Sequence, residues 1–203
     1  MPEPRSPRDG PAGTGVIALV MAAGASRRFG DADKRVAALP DGRTLLAATV
    51  ESLRKGFHDV RVVIRSGDDP ELLGLPPDIR VIRSVNAAHG MGSSIADAAL
   101  ALNRDPELSG VAAAAICLGD MPWIRHDTLA RLTAAASESR ILRPTSHGTP
   151  GHPVIFGRAF WDGLMSLEGD TGGRTLLRQY GEHQVPVDDV GIVRDVDNPD
   201  DLL

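Results

Sequence analysis

Six consecutive apolar residues, Val16-Ile17-Ala18-Leu19-Val20-Met21, run straight into a turn of small residues and then into positive charge, Ala22-Ala23-Gly24-Ala25-Ser26-Arg27-Arg28. A short apolar run that does not alternate with polar residues is the pattern of a strand buried on both faces. Such strands belong to parallel sheets covered by helices. In open sheets of that kind, ligands bind beyond the carboxyl ends of the strands. The junction at Met21 therefore constrains both the architecture and the place where chemistry is expected.

The same grammar continues downstream. Val60–Ile64, Ile79–Ile82 and Val111–Leu118 read as further strands, and Thr44–Lys55, Ser93–Asn103 and Arg125–Ala136 have helical spacing, the first stopped by Gly56. Strands alternating with helices imply βαβ crossovers. The expected fold class is thus α/β: a three-layer α/β/α Rossmann-like arrangement with a mostly parallel sheet. After Arg140 the texture changes. Ile141–Pro144 and Pro153–Phe156 flank the turn-rich His147–Gly151, which predicts a small β-insertion near residues 140–157, layered onto the sheet. Phe160–Met165 and Arg174–Tyr180 read as short helices, Gln184–Val187 and Val193–Val196 as late strands, and Asn198-Pro199-Asp200-Asp201 as the opening of a last helix. Residues 1–15, rich in Pro, Gly and charge, read as a disordered tail, which leaves 16–203 as a single domain. At roughly 150 residues per domain, a chain of 203 supports that count.

Composition narrows the partners. Aromatic residues make up 3% and the net charge is −5, a poor basis for stacking on or neutralising a nucleic-acid polymer. The single cysteine, Cys117, lies inside the apolar run 111–118 and reads as a small buried hydrophobe. No apolar run approaches the ~20 residues that span a bilayer, and the first residues carry no apolar stretch of a secretion signal. The expectation is a cytoplasmic protein without a membrane partner.

Three polar clusters fall at strand ends. In the first, Ala22, Ala23 and Gly24 let backbone N–H groups approach an anion closely, Arg27 or Arg28 adds a planar fork for phosphate oxygens, and Lys34 adds a point charge. The spacing fits neither the P-loop, because five residues separate Gly24 from Gly30, nor the dinucleotide fingerprint. The second cluster, Gly119-Asp120-Met121-Pro122, offers one carboxylate, which suits a turn or helix cap as well as Mg²⁺, an ion that takes one or two protein carboxylates and shares phosphate oxygens. The third is Asp195-Val196-Asp197-Asn198. On a strand its two acids would share a face; ahead of Pro199, Asp197 or Asn198 would equally suit a helix cap. The six histidines show no HExxH spacing, and no Ser/His/Asp arrangement stands out.

The stretch MAAGASRRFGDADK resembles the LAAGxSxRxGxxK head of the MobA-like nucleotidyltransferases, and further segments agree in order: GMGSSIADA, LGDMPWI, GHPVIF followed by LEGDTGGRTLL, and the closing VRDVDNPDDL. Met21 stands where Leu is usual and Asn198 where Thr is usual. The resemblance is to the molybdenum-cofactor cytidylyltransferase branch. It implies a nucleotidyltransferase fold and transfer of CMP from CTP to the terminal phosphate of a pterin-type acceptor, with Mg²⁺ as cofactor and pyrophosphate as leaving group. Downstream it implies a molybdoenzyme or its maturation factor as a partner. It implies a nucleotide site of Ala22, Ala23, Gly24, Ser26, Arg28, Lys34, Gly92, Ser93 and Ser94, with Arg28, Lys34 and Asp120 catalytic. It also implies metal ligation by Asp120 and Asp197, and an acceptor site around Gly151, His152, Asp170, Gly172 and Gly173. Another nucleoside triphosphate, a sugar or alditol phosphate acceptor, or a non-catalytic cofactor-delivery protein remain open alternatives at this point.

Overall fold

The computed structural model describes residues 15–24 and 33–202. Its strands are β1 (Gly15–Met21), β2 (Asp59–Arg65), β3 (Arg80–Ser84), β4 (Val111–Leu118), β5 (Ile141–Ser146), β6 (Thr149–Pro150), β7 (Val154–Gly157) and β8 (His183–Pro186). Its helices are α1 (Leu45–Arg54), α2 (Met91–Arg104), α3 (His126–Ala135), α4 (Trp161–Met165) and α5 (Arg174–Tyr180). The strands form one sheet in the order β3-β2-β1-β4-β7-β5-β6, with β8 added against β5. Pairings among β3, β2, β1 and β4 are parallel, β7 runs antiparallel between β4 and β5, and β8 is parallel to β5.

The doubly buried reading of the first strand is visible in its two faces. Val16, Ala18 and Val20 pack with Leu46, Val50 and Leu53 of α1 and Leu129 and Leu132 of α3. Ile17, Leu19 and Met21 pack with Ile95, Ala98 and Leu102 of α2 and Trp161 and Leu164 of α4. Each fully buried Val, Leu or Ile stabilises the fold by ~1.5–3 kcal/mol. Helix α1 starts where Thr44 accepts a hydrogen bond from the Ala47 N–H at 3.2 Å, which satisfies one of the first-turn donors that a helix leaves open.

Two expectations change. The insertion lies within the sheet, not on it: β7 pairs with β4 from Ala113↔Gly157 to Ile116↔Val154 and so carries the sheet onward. Within it, β5 and β6 join through His147 and Gly148, which both take positive φ (49° and 80°), as a two-residue hairpin turn requires. The late strand expected at Val193–Val196 does not form. Residues 190–193 make a 3-10 turn and 194–198 run on irregularly. Only Val196 of that stretch is buried, and its N–H donates to the Asp120 carbonyl at 3.1 Å. Among the described residues that is the segment's one backbone–backbone bond to a strand end, where a strand would need a ladder, so strand alternation does not put Asp195 and Asp197 on a common face. The final turn, Pro199–Leu202, is 3-10.

Candidate active site

The sheet reverses its order of growth at β1. Strands β2 and β3 extend it on one side and β4 on the other, which opens a crevice at the carboxyl ends of β1 and β4. The head loop leaves β1 there, and Gly119-Asp120 leaves β4. Gly119 is small for a reason. A Cβ at this position would lie 3.0 Å from the Met21 carbonyl oxygen and 3.1 Å from Leu46 Cδ1. The two strand ends approach closely enough for the Gly119 N–H to donate to the Met21 carbonyl at 3.1 Å.

Lys34 follows in a 3-10 turn, 34–36, capped by Asp33. Its Nζ donates to Asp120 Oδ2 at 2.7 Å and lies 3.7 Å from Asp197 Oδ1. Three residues far apart in sequence thus meet, and an ammonium stands between two carboxylates. The other Asp120 oxygen, Oδ1, is buried and accepts no hydrogen bond from the described residues. A buried, unpaired carboxylate oxygen costs stability unless something positive supplies the missing partner. A pair of carboxylates with one open oxygen suits a cation that takes one or two protein ligands and fills its remaining positions with water and phosphate. Among the described residues no group of three or more acidic, His or Cys side chains is placed to hold a metal. Among the described residues, a divalent cation here would find the carboxylates of Asp120 and Asp197 and would take further ligands from water or phosphate.

Of the head-loop residues, Ser26 and Arg28 lie outside the described residues. Ala22 and Ala23 are buried and Gly24 is exposed. The Ala22 N–H completes the sheet by donating to the Val63 carbonyl at 2.9 Å. The Ala22, Ala23 and Gly24 carbonyls accept hydrogen bonds from Arg35 and Arg65, two residues that sequence reasoning missed. Arg35 is buried and also pairs with Asp33 and Asp68. Burial works against its charge, but the two carboxylates outweigh that and raise its pKa above the ordinary value. Hydrogen bonds from Arg35 hold the Asp33 carboxyl below its usual range. Burial opposes the charge on Asp68, yet Arg35 and the Arg65 N–H bring its pKa down as well. The available signal was position: Arg65 to Asp68 follow β2 at the same carboxyl edge, but only the strand order makes β2 the neighbour of β1.

Three adjoining cavities surround this centre. One of about 200 Å³ is lined by Ala22, Gly24, Lys34, Leu118 and Asp120 among others. One of about 740 Å³ is lined by Ala23, Gly24, Arg65, Val85, Ala87 and Ser94. One of about 310 Å³ is lined by Arg143, His152, Phe156, Asp170, Gly172, Gly173 and Arg174. Met91, at the start of α2, lines all three. Asp97 secures the far wall of the largest by accepting from Ser84 Oγ (2.8 Å), the Asn86 N–H (2.9 Å) and Asn86 Nδ2 (2.8 Å).

The nucleotide candidates on α2 divide. Ser94 faces the largest cavity. The Gly92 and Ser93 N–H groups donate to the Gly169 carbonyl (2.7 and 3.4 Å), and Ser93 Oγ accepts from the Gly169 N–H at 3.1 Å. Those two residues tie α2 to the 168–170 turn. The acceptor candidates divide likewise. His152, Asp170, Gly172 and Gly173 line the 310 Å³ cavity, whereas Gly151 is buried against the tail. A Cβ on Gly151 would lie 2.2 Å from the Ile192 carbonyl oxygen, and its own N–H donates to the Pro144 carbonyl at 2.8 Å. Burial, with the Arg143 charge beside it, pushes the His152 imidazole down to about 4, so it is neutral at pH 7. Its Nδ1 is buried without a partner among the described residues. The cavity therefore combines fixed guanidinium charge with an uncharged imidazole.

A family model described as the MobA-like NTP transferase domain matches residues 18–185. The chain is 30% identical over 177 residues to nicotine blue oxidoreductase of Paenarthrobacter nicotinovorans, covering 81% of this chain and 82% of that protein. It is 27% identical over 85 residues to molybdenum cofactor cytidylyltransferase of Escherichia coli K12, a match that spans 42% of this chain and 44% of that protein. Among solved structures, the Mycobacterium sp. strain JC1 homologue of Rv0371c superposes with a TM-score of 0.77 at 30% identity over 92% of both chains. A manganese complex of Rv0371c from Mycobacterium tuberculosis gives 0.72 at 24% identity over 93% of this chain and 96% of that one, a likeness of fold. Among the described residues no helix is long and apolar enough to cross a membrane.

Proposed function

The chain belongs to the MobA-like NTP transferase family and is a nucleotidyltransferase; on that premise we propose that it transfers CMP from CTP to the terminal phosphate of a molybdopterin-type acceptor and releases pyrophosphate. The observation that carries this reading is the meeting of Lys34, Asp120 and Asp197 at the β1/β4 crevice, beside a turn of small residues. CTP is favoured because the Ala22-Ala23-Gly24 head resembles the cytidylyltransferase branch, and one relative carries that activity in its name.

In this proposal the head loop, with Ser26 and Arg28, binds the triphosphate. Lys34 leaves its carboxylate partners to neutralise phosphate charge. Asp120 and Asp197 would hold Mg²⁺, which when bound offsets negative charge on the reacting phosphates. The cavity around His152 and Asp170 receives the acceptor. The acceptor phosphate oxygen attacks the α-phosphorus in line, its new P–O bond forming as the bond to pyrophosphate breaks. That oxygen is already anionic, so no side-chain nucleophile is required. The residues contribute position and charge, which for phosphoryl chemistry is nearly the whole of catalysis.

The test is pyrophosphate release by the purified chain with a phosphorylated pterin acceptor, Mg²⁺ and each of four nucleoside triphosphates. CTP should give the fastest release. Equal rates with GTP would overturn the base assignment. Turnover with a sugar or alditol phosphate but not the pterin would overturn the acceptor.

A further inference from the structure

Two arginines outside the head loop hold three of its consecutive carbonyl groups. Arg35 Nη1 donates to the Ala22 carbonyl at 2.9 Å. Arg65 donates from Nε to the Ala23 carbonyl at 3.2 Å and from Nη2 to the Gly24 carbonyl. Asp68 joins the pair: its Oδ1 accepts Arg35 Nη2 at 2.9 Å, and its Oδ2 accepts both Arg35 Nη1 at 2.5 Å and the Arg65 N–H at 2.9 Å. In a trans peptide the C=O and N–H of one unit point in opposite directions. Fixing the Ala22 carbonyl therefore fixes the Ala23 N–H, and fixing the Ala23 carbonyl fixes the Gly24 N–H. Neither N–H donates to an acceptor among the described residues. Arg35 also follows Lys34 in the same 3-10 turn, so its anchored guanidinium sets the point from which Lys34 leaves the backbone.

We propose that Arg35 and Arg65, linked through Asp68, are positioning residues that hold the Ala23 and Gly24 N–H groups in a polyphosphate-binding arrangement, and fix the backbone turn from which Lys34 extends, before nucleotide arrives. The inference rests on the triphosphate reading of the head loop. Its discriminating feature is a sign. Asp68 is a negative charge close to a site for a polyanion, so on Coulomb's law alone Asp68→Asn should tighten binding. If Asp68 acts by holding the two arginines, the same change weakens it. Arg65→Lys keeps the charge but replaces the rigid planar fork that spans both carbonyls through Nε and Nη2 with a compact ammonium on a flexible stem, which does not reproduce that geometry.

The experiment is isothermal titration of the full chain with CTP, and with inorganic tripolyphosphate as a base-free probe, each with Mg²⁺. Wild type should bind both. Asp68→Asn and Arg65→Lys should each weaken both probes at least fivefold, and by a similar factor, since the base plays no part. Tightening in Asp68→Asn, or a loss smaller than fivefold in either folded variant, overturns the proposal. If Asp68→Asn does not fold, Arg65→Lys decides by the same threshold. If wild type binds neither probe, the triphosphate reading falls first and this inference falls with it.

Discussion

The two ends of the chain bring their charges to the crevice by different means. At the amino-terminal end, Lys34 stands on a turn locked by a buried guanidinium with two carboxylate partners. At the carboxyl-terminal end, Asp197 stands on irregular backbone whose contacts include the buried Val196 side chain, the Val196 N–H to the Asp120 carbonyl, Asp201 Oδ2 accepting from the Asp197 and Asn198 N–H groups at 2.9 and 2.8 Å, and Arg194 over the Trp123 ring. Further back, the buried Asp189 anchors the tail by accepting from the Arg125 N–H (2.9 Å), Thr128 Oγ1 (2.7 Å) and the Gly191 N–H (2.9 Å). A buried, multiply bonded group has one low-energy position, whereas irregular backbone outside any ladder, with half-exposed side chains such as Asp197, can shift at less cost. The amino-terminal half is thus built as a fixed cradle and the tail as an adjustable strap.

Substitutions can break this contrast. The largest effect is expected at Asp120, where strap and cradle meet. Asp120→Asn should reduce the pyrophosphate-release rate by about 10²–10³-fold, the scale seen when one preorganised charge-stabilising group is removed, while circular dichroism and the melting profile remain native. Full turnover in a folded Asp120→Asn protein would remove the metal assignment. Next is the strap's anchor. Asp189→Ala removes the acceptor of three hydrogen bonds and leaves Thr128 and two N–H groups without a partner, so urea unfolding should show a loss of about 2–4 kcal/mol. If the loss is below 1 kcal/mol, the tail is held by something other than Asp189.

Asp197→Asn should be milder than Asp120→Asn, with a rate loss of about tenfold, ~1.4 kcal/mol in the barrier. Asp197 is 43% exposed against 25% for Asp120 and lies farther from Lys34. Equal losses at the two acids would mean that the strap is as rigid as the cradle. The smallest effect concerns pH. In the unfolded chain an imidazole takes up its proton near 6.5, whereas folded His152 does so only at about 4. Between those values the unfolded state binds more protons. The contribution is therefore fully present above pH 6.5 and is lost as the pH falls toward 4, with a slope of at most about 1.4 kcal/mol per pH unit. Unfolding of His152→Gln measured across that window should be flatter than wild type by this component. Parallel curves would place the imidazole in water.

Much of the cradle could be read in advance because its elements announce themselves locally. The unbroken apolar run 16–21 belongs to a strand with helices on both sides, and Val111–Leu118 follows the same rule with the observed boundaries. The strap could not be read that way. Val193–Val196 carries the β-branched residues of a strand, yet Val193 is 41% exposed and only Val196 is buried. Propensity was overridden: among the described residues the segment makes isolated backbone bonds and no ladder. Arg35 and Arg65 were missed for the opposite reason. In a linear text a charged residue beside a strand end suggests a solvated face, and only the adjacency of β1 and β2 turns these side chains back onto the head loop.

The amino-acid order alone determined which residues seek the interior, where the strands end, and which polar clusters stand at those ends, because burial preference and backbone period act over a few residues. Only the tertiary structure decided that Lys34 reaches Asp120 across 86 positions, that Asp197 joins them without a strand beneath it, and that two distant arginines hold the head loop. Those contacts depend on strand order and on isolated long-range hydrogen bonds, and neither leaves a periodic trace in the sequence.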